Sequence, residues 1–131
     1  MIRLAICDEL IFVREDSAGR AVGGLSLGGV FAVNILQRQP ELFDWYLMMS
    51  GGIFNDQIEE QMHLDLEKVQ DKHLYLCAGS KETGLLSIQR LSKRLTEDGV
   101  VGYHSYVIDG GHDWDVWRQC FTDYVVNELW K

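Results

Sequence analysis

Four short apolar runs, each followed by a stretch of helical period, constrain this chain more than any other feature. They are Arg20 to Leu25, Trp45 to Met49, His73 to Ala78 and Tyr103 to Ile108. The first three are nearly continuous in apolar or small residues, as strands covered on both faces require, whereas the fourth alternates β-forming residues. The stretches that follow are Leu27 to Gln37, with Val30, Phe31, Ile35 and Leu36; the polar Asn55 to Asp71, with Ile58, Met62, Leu66 and Val69; Leu85 to Glu97; and about Trp114 to Trp130, with Trp117, Phe121, Tyr124, Val125 and Leu129 near one face. Pro40 and Gly99 stop the first and third of them. Such alternation favours parallel strands joined by right-handed crossovers, an α/β architecture, here as a single domain over residues 1–131. Ahead of the first run, Asp8 is placed to cap a short helix through Glu9 to Glu15, broken by Ser17-Ala18-Gly19.

A parallel sheet puts the loops after its strands on one edge, and Ser26, Ser50, Glu82 and His112 all fall there. Gly24-Leu25-Ser26-Leu27-Gly28 has the G-x-S-x-G pattern, in which a strand reverses into a helix and lifts a serine hydroxyl clear of the sheet. The glycines two before and two after the serine are expected to let the backbone pass close without a Cβ clash. The same turn aims the Leu27 amide at the place where a carbonyl oxygen gains charge in acyl transfer.

A serine hydroxyl is a weak nucleophile without a base, and the base needs a group that fixes its tautomer. His112, in Asp109-Gly110-Gly111-His112-Asp113-Trp114, is the expected base. Glu82, in Ala78-Gly79-Ser80-Lys81-Glu82, is the expected acid, giving the chain order serine, acid, histidine; its other reading is a solvated charge paired with Lys81. Ser50 and Trp114 are expected on the substrate side, and Asn55 to Asp71 is expected to cover the site from above. Asp113 and Asp115 read as caps of the last helix. His63, His73 and His104 have no ligand spacing, so neither a metal nor another cofactor is expected.

Composition narrows the partners. A net charge of -8 argues against a binder of nucleic-acid phosphates or of anionic membranes, and no apolar run is long enough to span a bilayer. Cys7, Cys77 and Cys120 are odd in number and lack C-x-x-C spacing, which suggests neither a disulfide framework nor zinc; buried reduced thiols and a cytoplasmic location are expected, with secretion as the alternative if a signal peptide lies upstream.

Several segments together resemble a known family: Gly-Leu-Ser-Leu-Gly-Gly at 24–29, Pro40-Glu41-Leu42-Phe43, Ser50-Gly51-Gly52, and Gly110-Gly111-His112-Asp113-Trp114 with Trp117-Arg118. From about Glu9 to the C-terminus the chain is similar to the esterase D-like α/β-hydrolases, the group that includes feruloyl, acetyl xylan and enterochelin esterases. The resemblance implies a serine carboxylic-ester hydrolase acting through an acyl-enzyme, on acyl esters of sugars or polysaccharides or on similar small esters of feruloyl, acetyl or siderophore type. By position it implies attack by Ser26, His112 as base, Leu27 N–H in the oxyanion hole, and Glu82 at the acid's place, three residues after Gly79. Many relatives carry an Asp-bearing pattern there and some ferric-siderophore esterases work with a Ser-His pair, so triad and pair both stay open. The alternatives are an acyltransferase on the same fold and a catalytically incompetent fragment or interaction domain. The family carries several strands before the elbow, with a second oxyanion donor among them, whereas about twenty residues precede Gly24 here. The expectation is therefore the C-terminal part of an α/β-hydrolase: about four parallel strands with flanking helices, the N-terminal strands missing. The open apolar edge of the elbow strand would then fall to Met1 to Cys7, to another chain, or to a second copy in a dimer.

Overall fold

A computed structural model describes residues 14–131. Strands β1 (Ala21–Leu25), β2 (Trp45–Met49), β3 (His73–Gly79) and β4 (Tyr103–Ile108) form one sheet in the order β1-β2-β3-β4, every pair parallel. Around it lie helices α1 (Leu27–Arg38), α2 (Asp56–Gln61), α3 (Leu66–Val69), α4 (Gly84–Glu97) and α5 (Trp114–Asp123). The helix expected from Asp8 lies outside the described residues as far as Val13, and Arg14 and Glu15 are not helical. Among the described residues, no helix is long and apolar enough to cross a membrane.

Period-two alternation sends the side chains of β2 and β3 into two separate cores, which explains why both strands read as continuous apolar runs. Tyr46, Met48, Leu74, Leu76 and Ala78 pack against Ala32, Val33 and Leu36 of α1 and Ile88, Leu91 and Leu95 of α4. Leu47, Met49, Tyr75 and Cys77 point the other way, onto Val116, Cys120 and Tyr124. β4 is an edge strand with a mostly exposed burial pattern, which suits its mixed polar and apolar sequence. β1 is the opposite edge, and no strand among the described residues pairs with its outer side. A groove of about 400 Å³ runs between β1 and the last helix, lined by Gly23, Leu25, Leu47, Met49, Phe121 and Val125 among others.

Three expectations change. Asn55 to Asp71 is two short helices and not one, because Met62 leaves the helix for extended backbone and enters the core. The Arg94 guanidinium takes up the carbonyls this break exposes, donating to Glu59 O at 2.7 Å and Met62 O at 2.8 Å. His63 N–H donates to Gln37 Oε1 at 3.0 Å, so the segment is fastened along α4 and the end of α1 and seals the first core, away from the edge that carries Ser26. The last helix keeps α-geometry only to Asp123 and then widens into a π turn over Tyr124–Glu128.

The third correction concerns the cysteines. Cys77 and Cys120 are not free thiols but form a disulfide, with Cα atoms 6.2 Å apart, inside the usual range. The pairing follows from the two-sided sheet: Cys77 points from β3 toward α5, and Cys120 lies one turn beyond Val116 on the buried stripe of that helix. Cys7 lies outside the described residues.

Candidate active site

The strand registers align the last residues of β1 and β2, Leu25 and Met49, with Cys77 of β3, two residues before that strand ends. Ser26 and Ser50 therefore emerge side by side, and each extends its ladder by one hydrogen bond: Ser26 N–H to Met49 O and Ser50 N–H to Cys77 O, both 2.7 Å. Both residues have φ of 55°, a conformation that costs a non-glycine residue about 1–3 kcal/mol and that recurs where side chains are aimed for function. Ser26 turns the chain straight from β1 into α1, its carbonyl accepting from Gly29 N–H at 3.0 Å.

Close backbone packing holds this turn, but not through the glycines in the expected way. A Cβ on Gly24 would overlap the backbone of Gly28, while a Cβ on Gly28 itself would meet nothing within 4 Å. The tightest constraint comes from another strand end: a Cβ on Gly51 would overlap the Ser26 carbonyl oxygen and lie 2.8 Å from its carbon. Gly29 likewise has no room for a side chain against Gly51 O, at 2.5 Å.

Ser26 Oγ lies 3.0 Å from His112 Nε2, although 86 residues separate them. The other ring nitrogen, Nδ1, is hydrogen-bonded to Glu82 Oε2. The Glu82 side chain is fully buried, while that of His112 is 41% exposed. Glu82 Oε1 accepts from Gly79 N–H at 2.6 Å and from Ser50 Oγ at 2.5 Å. Lys81 pairs with Asp109 at 3.2 Å and not with Glu82.

The loop carrying His112 is laced to the loop carrying Glu82. Lys81 N–H donates to Gly110 O at 2.9 Å, and Ser80 Oγ donates to Asp109 Oδ1 at 2.9 Å. Hydrogen bonds from Ser80 and Lys81 hold the Asp109 carboxyl below the usual carboxylate range, so this fastening stays ionised at neutral pH. Gly110 has φ of 152°, and a Cβ there would meet Val116 Cγ2 at 2.5 Å, so the loop needs glycine at that point. Asp113 then caps α5, accepting from Asp115 N–H at 3.1 Å and Val116 N–H at 3.2 Å. Asp115, expected as a second cap, instead pairs with Arg118.

Leu27 N–H is the first amide of α1 and one of those that a helix leaves without an internal partner, on the same turn as Ser26. Trp114 is exposed and stands edge-on to Trp117 at 5.3 Å, and Trp117 in turn stands edge-on to His112 at 5.0 Å. Ser50 does not face the substrate side: it is fully buried behind Glu82. Two contributors were missed in the sequence. Trp117 donates its indole N–H to Ser50 Oγ at 3.0 Å, and Gly51 packs on the elbow carbonyl. The available signals were the position of Ser50-Gly51 at the end of the strand following the elbow helix, and Trp117 one helical turn after Trp114.

A serine 3.0 Å from an imidazole whose far nitrogen is held by a buried carboxylate can pass a proton to that imidazole while its oxygen attacks a carbonyl. The chain also resembles known proteins. The family described as Putative esterase matches residues 12–127. The chain is 26% identical over 120 residues to an endo-1,4-beta-xylanase/feruloyl esterase of Xylanibacter ruminicola, covering 86% of this chain and 15% of that protein. It is 29% identical over 123 residues to an iron(III) salmochelin esterase of Escherichia coli, covering 82% of this chain and 30% of that protein. Among solved structures, a ferulic acid esterase superposes with a TM-score of 0.75 at 21% identity, covering 88% of this chain and 54% of that one. The chain thus spans about half of that solved relative and less than a third of either curated one. The parallel sheet with its flanking helices is an α/β-hydrolase fold.

Proposed function

The chain belongs to the Putative esterase family, and from that premise we propose that it is a serine carboxylic-ester hydrolase working through an acyl-enzyme. The observation that carries the reading is the line from Ser26 Oγ through the two nitrogens of His112 to buried Glu82. Ser26 Oγ attacks the ester carbonyl carbon as His112 Nε2 takes its proton. Leu27 N–H stabilises the oxyanion, and Glu82 stabilises the imidazolium. Collapse breaks the ester C–O bond, and His112 returns the proton to the departing alcohol. Water then attacks the acyl carbon while giving a proton to His112, the bond from the acyl carbon to Ser26 Oγ breaks, and His112 returns that proton to Oγ as the acid leaves. The names of the two curated relatives support small esters of the feruloyl or siderophore kind as substrates. The outer side of β1, with which no strand among the described residues pairs, supports pairing of two copies, which sedimentation would detect. The Cys77–Cys120 bond favours an oxidising compartment.

The test is covalent labelling by a fluorophosphonate together with a p-nitrophenyl acetate burst. Ser26→Ala abolishes both. Labelling of a serine that persists in Ser26→Ala refutes the reading.

A further inference from the structure

We propose that Ser50 is a positioning residue of this site, whose hydroxyl holds the Glu82 carboxylate so that one oxygen faces His112. The proposal rests on the hydrolase reading above and extends it to a residue whose hydroxyl bonds Glu82 and Trp117, and neither His112 nor Ser26.

Turn geometry gives no reason for serine at this position. With φ at 55°, glycine would adopt the backbone at lower cost, and Gly51 and Gly52 follow immediately. The side chain is nonetheless present and has no exposure. Its hydroxyl makes two bonds whose directions are fixed by chemistry. An indole N–H can only donate, so Trp117 Nε1 donates to Ser50 Oγ at 3.0 Å; the hydroxyl proton is left for Glu82 Oε1 at 2.5 Å. Gly79 N–H donates to that same oxygen at 2.6 Å. Two donors on Oε1 leave Oε2 as the oxygen for His112 Nδ1.

The last torsion of a glutamate side chain is broad, so a carboxylate anchored by one donor can turn where one anchored by two cannot. Ser50 also links both supports of the imidazole, because the Trp117 indole that it holds stands edge-on to His112 at 5.0 Å. The order of bonds is Trp117 to Ser50, Ser50 to Glu82, Glu82 to His112 and His112 to Ser26. A hydroxyl buried in such a series polarises the bonds on either side of it.

The experiment compares the rate of fluorophosphonate labelling at Ser26 in the parent, Ser50→Gly, Glu82→Gln and the double variant. Ser50→Gly relieves the backbone while removing the hydroxyl, so a purely structural role predicts an equal or faster rate. The expected result is labelling slowed about 10- to 100-fold, the scale of a misplaced catalytic group. In the Glu82→Gln background the same change adds little, since Ser50 acts through Glu82. The proton resonance of His112 Nδ1–H, a signature of its bond to Glu82, shifts or broadens in Ser50→Gly. Trp117→Phe, which leaves the β2 turn untouched, slows labelling in the same direction and keeps the test open should Ser50→Gly fold poorly. Parental labelling and an unchanged resonance in Ser50→Gly overturn the role of Ser50 while leaving the hydrolase reading intact. A full-sized effect of Ser50→Gly in the Glu82→Gln background overturns it as well. A parent that does not label at Ser26 overturns the hydrolase reading itself.

Discussion

Replacing Gly51 with alanine tests whether a neighbouring strand end, and not the elbow glycine Gly28, helps to set the elbow. The new Cβ would overlap the Ser26 carbonyl oxygen and stand 2.8 Å from its carbon, against 3.4 Å for ordinary contact. The carbon alone must retreat by about 0.6 Å, and the oxygen further. Both partners are backbone, so no side chain can swing aside. The Ser26 carbonyl is also the acceptor for Gly29 N–H at 3.0 Å, so the shift travels into the first turn of α1 and carries Oγ away from His112 Nε2. A displacement near 1 Å slows fluorophosphonate labelling of Ser26 by about 10²-fold. Overpacking lowers the unfolding free energy by about 1–3 kcal/mol, measured from the urea midpoint. Gly28→Ala is the comparison, since its Cβ meets nothing within 4 Å and lies inside α1. That variant labels near the parental rate and gains up to about 1 kcal/mol from helix propensity. Parental labelling and stability in Gly51→Ala, or equal damage from Gly28→Ala, would refute the reasoning.

Glu82→Gln removes the buried charge behind His112 and slows labelling at Ser26 by about 10³- to 10⁴-fold, the scale of losing the tautomer-fixing acid. A slowing below tenfold would favour a serine–histidine pair over a triad. Reducing Cys77–Cys120, which bridges a sequence separation of 43, lowers the unfolding free energy by about 4 kcal/mol. A urea midpoint that does not move with reductant would contradict this. At the alkaline end, burial raises the pKa of Tyr46, Tyr75 and Tyr124, and the bond from Tyr75 to Asp123 raises that group further. Their protons stay on in the folded chain where the unfolded chain releases them. Their contribution is therefore whole below about pH 10 and is lost as pH rises above it. Tyrosinate absorbance from these residues should grow together with loss of circular dichroism; ionisation before unfolding would rule the linkage out.

The sequence by itself determined the elements whose signals are local. Trp45–Met49 and Tyr103–Ile108 begin and end where their apolar or β-forming runs do, and α1 starts directly after Ser26. A continuous run implies two covered faces, and strand alternating with helix implies a parallel sheet; each follows from neighbouring residues alone. That logic also placed Ser26, Ser50, Glu82 and His112 on one edge, because every strand ends there.

What only the tertiary structure decided depends on distances between segments far apart in the chain. Periodicity carries no record that Cys77 and Cys120 point at each other across a sheet face, or that Met62 leaves a helix to fill the core beside α4. It could not show that Ser50 turns inward onto Glu82 and not outward, since both directions share one loop sequence. The glycine motif itself was readable, yet the crowded positions are Gly24 and Gly51, the second of them on another strand end, while Gly28 has open space. Close approach between backbones is a property of packed pairs. A single stretch of sequence names only one member of each pair.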